Sequence, residues 1–202
     1  SLQDALPIYT PAESQLYHLT VTVTGQPICP TIVQNPQPSQ EICEGSPISL
    51  TFIATGNPEP TYQWRLNNQD LVGNGANTST YSLFSTFTSN AGTYECVATN
   101  ACGSITSAPA QVTVFTGASI DGEPQSQSVP AGSPVSFTVQ VSGNPTPTLS
   151  WRKNGTPIPL ANQATYTIPS VSPGDAGSYD CVAETVCGEA TSQPAVLTVT
   201  GQ

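Results

Sequence analysis

The stretch Gly92-Thr-Tyr-Glu-Cys-Val-Ala-Thr-Asn-Ala-Cys-Gly103 recurs 85 positions downstream as Gly177-Ser-Tyr-Asp-Cys-Val-Ala-Glu-Thr-Val-Cys-Gly188. Each copy reads as a strand, a short turn and the start of a return strand, with two cysteines six positions apart. A doubled hairpin of this kind demands a doubled β-unit to hold it, so the chain is read first as a repeat.

Further matches extend the repeat. Gly45-Ser-Pro-Ile-Ser-Leu-Thr aligns with Gly132-Ser-Pro-Val-Ser-Phe-Thr, and Gly56-Asn-Pro-Glu-Pro-Thr-Tyr-Gln-Trp-Arg65 with Gly143-Asn-Pro-Thr-Pro-Thr-Leu-Ser-Trp-Arg152, both at an offset of 87. A two-residue deletion between Trp151 and Tyr179 reconciles the two offsets. Short strands punctuated by Gly, Pro and Asn turns, with no sustained helical period, predict an all-β fold of two tandem sandwiches. Their expected bounds are 29–115 and 116–202, with a short, stiff link around 116–122 and an extended segment, 1–28, in front.

The order G-S-P-strand, G-N-P-x-P, Trp-Arg and then (D/N)-A-G-x-Y-x-C resembles an immunoglobulin-like domain of the I-set style, in both repeats. The Cys-Gly hairpin ending further resembles immunoglobulin-like repeats of large secreted bacterial surface proteins. The resemblance implies that Trp64 and Trp151 pack into the inter-sheet core, and that Tyr94 and Tyr179 form tyrosine corners two residues before Cys96 and Cys181. The chain departs from the family at the strand-B cysteine, where Phe52 and Val139 stand instead. The usual inter-sheet disulfide is therefore absent, and apolar packing must fill its place.

Six cysteines then need partners. The second repeat holds only Cys181 and Cys187. A six-residue separation suits a bridge across a tight hairpin, which predicts Cys181–Cys187 and, by repeat equivalence, Cys96–Cys102. Cys29 and Cys43 both lack counterparts in the second repeat and are assigned to each other. The rival scheme is Cys43–Cys102 with Cys29–Cys96. Metal-binding thiols are the other reading, but Cys-x5-Cys without a nearby histidine does not match zinc spacings.

Residues 1–28 fit the repeat least well. Leu16-Tyr-His-Leu-Thr-Val-Thr-Val-Thr24 alternates at period two, placing Leu16, Tyr17, His18, Leu19, Val21 and Val23 in a strand with no local partner. Thr22-Val-Thr-Gly-Gln26 is repeated to the letter by Thr198-Val-Thr-Gly-Gln202. The strand is therefore either the last strand of a preceding domain in a longer array, or a strand donated to another molecule.

Composition narrows the partners. Three Lys and Arg face thirteen Asp and Glu, for a net charge of −10, which disfavours nucleic acid and anionic membranes. No apolar run is long enough to insert in a membrane. Six cysteines, no methionine and many hydroxyl side chains suit an extracellular or cell-surface protein. Asn77-Thr-Ser79 and Asn154-Gly-Thr156 are candidate glycosylation sites.

Nothing points to catalysis. His18 is the only histidine, and neither a nucleophile elbow nor a phosphate loop is present. The carboxylates Asp175, Asp180, Glu184 and Glu189 read as surface charge rather than a glycosidic pair. Asp121, Glu123 and Asp175 offer too few oxygens for a convincing calcium site. No cofactor, metal or enzymatic activity is expected.

Two functional expectations follow. The first is a non-enzymatic extracellular filament or stalk subunit, a pilus-like homopolymer assembled head to tail by adding residues 1–28 to a neighbour's sheet edge. The alternative is an adhesin or receptor module that holds a glycan or surface protein through its loops, with the F–G tips 98–100 and 183–185 and the segment Asn67–Thr80 as contacts. A third reading is a spacer between catalytic domains.

Overall fold

In this computed structural model the described residues are 26–201. Strands run through the chain as β1 (Ile28–Gln34), β2 (Ser39–Cys43), β3 (Ile48–Thr51), β4 (Ile53–Asn57), β5 (Thr61–Leu66), β6 (Gln69–Asp70), β7 (Thr80–Leu83), β8 (Gly92–Asn100) and β9 (Gly103–Thr106). They continue as β10 (Ala110–Gly122), β11 (Gln127–Pro130), β12 (Val135–Thr138), β13 (Gln140–Asn144), β14 (Thr148–Lys153), β15 (Thr156–Pro157), β16 (Thr165–Ile168), β17 (Gly177–Thr185), β18 (Gly188–Thr191) and β19 (Ala195–Thr200). The fold is all-β, and the only helical pieces among the described residues are two single-turn 3-10 segments, Thr88–Asn90 and Pro173–Asp175.

Each repeat forms a sandwich. In the first, one layer joins β1 to β4 and β3 to β7, while the other runs β2, β10, β8, β5, β6. The second repeats the plan, with β12 on β16 facing β11, β19, β17, β14, β15. Alternation along the strands turns one side inward: Ile48, Leu50, Phe52 and Ala54 face Tyr94, Cys96 and Ala98 in one core cluster. Val135, Phe137 and Val139 meet Tyr179, Cys181 and Leu197 in the other. Phe52 and Val139 fill the strand-B cysteine position with apolar bulk, 0% and 2% exposed.

Trp64 and Trp151 are fully buried, and each indole N–H reaches a carbonyl, of Thr78 at 3.0 Å and Gln163 at 2.8 Å. The Tyr94 hydroxyl donates to the Asn90 carbonyl at 2.8 Å, and that of Tyr179 to the Asp175 carbonyl at 2.7 Å, closing a corner after each 3-10 turn. Burial pushes both phenols up to about 12, so they remain donors at any physiological pH.

The expected cysteine pairing is corrected on all three bonds. Cys29 is bonded to Cys102 and Cys43 to Cys187, while Cys96 and Cys181 are buried, unbonded thiols. Neither Cys29–Cys43, Cys96–Cys102 nor Cys181–Cys187 forms, and the rival Cys43–Cys102 with Cys29–Cys96 does not form either. The reason lies in hairpin register. Asn100 pairs with Gly103, so Cys102 sits in a two-residue turn, whereas Cys96 points into the core opposite Ser107. Thr185 pairs with Gly188 in the same way, which puts Cys187 in the turn and Cys181 inside. A six-residue spacing here separates an interior position from a tip.

The link is a strand. β10 pairs with β8 and β2 over its first part and with β13 from Thr116 onward, so it closes the first sandwich and opens the second. The expected boundary between 115 and 116 falls inside this strand. Residues 16–24, the strand expected to be donated or left over, lie outside the described residues.

Candidate interaction surface

Where β10 passes between sandwiches, several contacts fix it. The Glu44 amide donates to the Phe115 carbonyl at 2.7 Å, and the Asn144 amide to Thr116 Oγ1 at 2.9 Å. Thr185 Oγ1 donates to the Thr116 carbonyl at 3.3 Å. Cys43, opposite Phe115 in the parallel β2–β10 pair, is bonded to Cys187 at the far hairpin tip, Cα to Cα 5.5 Å. A shared strand and an inter-sandwich disulfide thus span one junction. Both sides of a hinge between the sandwiches would have to break a covalent bond or a ladder to bend it.

The other tip is tied back to its own sandwich. Cys102 meets Cys29 on β1, and Asn100 Nδ2 donates to the carbonyls of Ile28 and Pro58, both at 2.8 Å. The expected contact tips 98–100 and 183–185 are strand ends; the turns themselves are Ala101–Cys102 and Val186–Cys187. Segment 67–80 folds over the first core, with Ala76 buried and Val72 exposed.

All three Lys and Arg are engaged internally. Arg65 Nε reaches Asp70 and Arg152 Nε reaches Asp180, each at 2.6 Å. Lys153 Nζ donates to the Gly174 carbonyl and lies over the Tyr179 ring. The hydrogen bond it donates to Asp180 holds the Arg152 guanidinium above its ordinary range. The acids weighed and set aside as calcium ligands are each engaged: Asp121 accepts from Ser142 Oγ at 3.1 Å, Glu123 from the Gln193 amide at 2.7 Å, and Asp175 from the Ser172 amide at 2.8 Å. Among the described residues no group of three or more His, Cys, Asp or Glu converges. Both sequon asparagines are exposed; Asn77 Nδ2 donates to Gln63 Oε1 at 2.8 Å, and Asn154 Oδ1 accepts the Ser178 amide at 2.9 Å.

Residues 30–100 and 118–185 each match the family model described as an immunoglobulin domain. The chain belongs to the immunoglobulin-domain family. Similar members include Roundabout homolog 1 of Homo sapiens, 35% identical over 71% of this chain and 9% of its own length. The Homo sapiens protein named cell adhesion molecule-related/down-regulated by oncogenes is 34% identical over 71% of this chain and 12% of its own length. The N-terminal four immunoglobulin domains of Dscam1 isoform 6.9 superpose with a TM-score of 0.62 at 28% identity, over 86% of this chain and 46% of that one.

This immunoglobulin-domain chain therefore spans about a tenth of the length of such relatives. Relatives that match include proteins of mammals, a nematode and a fly, and the bacterial likeness expected of the hairpins finds no support in these. The chain is an extracellular or cell-surface one, a location in which its disulfides persist. No helix among the described residues is long and apolar enough to cross a membrane.

Proposed function

We propose that this chain is an adhesion- or receptor-type module that presents a stiff, two-sandwich surface to a protein partner and carries out no chemistry of its own. The observation that carries this reading is the Cys43–Cys187 bond beside the shared strand. A surface spanning two sandwiches binds well only if their relative placement is not lost as entropy on each encounter, and a covalent lock removes that cost beforehand. The relative named for cell adhesion supports the same reading.

The head-to-tail filament is the lesser reading. It rests on residues 1–28, of which 1–25 lie outside the described residues, and a second copy of the chain brings no unengaged Lys or Arg to meet this acidic surface.

The test is a binding screen. The full chain, biotinylated and tetramerised, is presented to displayed animal cell-surface ectodomains, with light scattering of the untagged chain in parallel. We expect saturable binding to at least one ectodomain by a monodisperse chain. Concentration-dependent filaments with no ectodomain ligand would overturn the reading.

A further inference from the structure

On the second sandwich a cleft of about 410 Å³ opens between the turn that follows β13 and the end of the β17–β18 hairpin. Pro145, Thr146, Thr148, Thr185 and Val186 form its walls, Val186 being 74% exposed, and Glu184 is the charged residue lining it. Glu184 stands directly opposite Glu189 in the β17–β18 ladder. Like charges directly opposite on one face destabilise a sheet.

The repeat supplies its own comparison. At the same place in the first sandwich Thr99 stands opposite Ser104, and their hydroxyls hydrogen-bond at 2.9 Å. The hairpin therefore does not require two acids; a neutral, self-satisfied pair serves the fold. Among the described residues no Lys or Arg is hydrogen-bonded to either carboxylate. Arg152 feels the charge of Glu189, but its Nε donates to Asp180, and Arg65 and Lys153 are held elsewhere.

We propose that this cleft receives an arginine side chain of the protein partner, its aliphatic stem along Val186 and Pro145 and its guanidinium between Glu184 and Glu189. This rests on the reading of the chain as an adhesion- or receptor-type module. Charge complementarity selects the occupant. A guanidinium fork matches two neighbouring carboxylates, and its stem covers apolar surface that a hydrated ion leaves wet. Two carboxylates fall well short of the six or more oxygens that calcium gathers. An anionic glycan is repelled, and a second copy has no unengaged Lys or Arg to offer.

The full chain, 15N-labelled, is titrated with the acetylated and amidated peptide Gly-Leu-Arg-Leu-Gly, using the same peptide with Glu in place of Arg as a control. Saturable shifts are expected at the amides of Thr148, Glu184, Val186 and Glu189, with none from the control. Binding should weaken several-fold on raising salt from roughly 50 to 300 mM. The double variant Glu184→Gln, Glu189→Gln should lose about tenfold or more in affinity, yet unfold at a higher denaturant concentration because the repulsion is gone. Shifts scattered over the acidic surface, or unchanged in the variant, would overturn the site. So would saturation of these amides by calcium chloride alone without a response to the peptide. The ectodomain screen keeps the two readings apart: a ligand held equally by wild type and variant removes the cleft and leaves the adhesive role, whereas no ligand for wild type removes that role.

Discussion

Ser107 Oγ accepts the Cys96 amide at 3.0 Å while the Ser107 amide donates to the Cys96 carbonyl at 2.9 Å. Ser192 stands to Cys181 in the same way, both distances 2.9 Å. Each serine marks the break between two strands, β9 and β10 or β18 and β19, two residues before a proline that cannot donate to the ladder. The hydroxyl takes over where the backbone leaves a buried amide without its partner. Ser107→Ala and Ser192→Ala should each cost about 1–3 kcal/mol, because the cysteine amide is then buried and unpaired. Chemical denaturation measures this; a loss too small to resolve would mean that the ladder re-forms without the hydroxyl.

The disulfide pairing has a direct readout. Lys and Arg occur only at 65, 152 and 153, so trypsin cuts the unreduced, unfolded chain into 1–65, 66–152 and 154–202. With Cys29–Cys102 and Cys43–Cys187, the first piece is bonded to both others and all three migrate as one species. Bonds within each hairpin would release three separate peptides, and Cys43–Cys102 with Cys29–Cys96 would release 154–202 alone. Mass spectrometry before and after reduction distinguishes the three outcomes.

The fold class was legible because turn residues and strand periodicity recur in step in both repeats, so each copy supports the other's assignment. The cysteines were not legible, because sequence spacing measures neither which face of a strand a side chain takes nor how far a tip reaches. Cys96 and Cys102 are six apart, yet alternation sends the first inward and the turn leaves the second outside. The absence of cysteine counterparts in the second repeat at both Cys29 and Cys43 suggested a pair, whereas Cys43 reaches across the junction to a different sandwich. That junction was hidden for a related reason: Thr116–Gly122 reads as a polar link, and only its ladder with β13 makes it a strand. The cross-strand Glu184–Glu189 pair was similarly invisible until the hairpin register was fixed.

Val139 and Cys181 share one core cluster, with Val139 at the strand-B position where relatives of the I-set style carry a cysteine. Val139→Cys should therefore oxidise to a bond with Cys181. Burial pushes the thiol of Cys96 up to about 12 and that of Cys181 upward as well, so neither reacts in the folded chain. Thiol titration should count none in native wild type, two after unfolding without reductant, and one after unfolding the oxidised variant. The new loop should add about 3 kcal/mol of stability. Three thiols in the unfolded variant would show that the positions do not meet.

Asp175 and Asn90 hold corresponding places at the two 3-10 turns, and only one of them titrates. Asp175 Oδ2 accepts the Ser172 amide at 2.8 Å and the Ser172 hydroxyl at 2.7 Å; Asn90 Oδ1 accepts the Phe87 amide at 2.8 Å. The Ser172 amide and then its hydroxyl, helped by the charge of Lys153, hold the Asp175 carboxyl below its ordinary range. A carboxyl more acidic in the folded than in the unfolded chain contributes stability that is complete above the unfolded value, near pH 4, and is lost as pH falls through the folded value. Asp175→Asn keeps an acceptor at the turn, as Asn90 does, but removes the proton linkage. The variant should be less stable than wild type at pH 7, and the gap between their denaturation midpoints should close as pH falls from about 5 to about 2. A gap that stays constant over that range would mean that Asp175 acts by shape alone, since a neutral acceptor would then differ from the carboxylate equally at every pH.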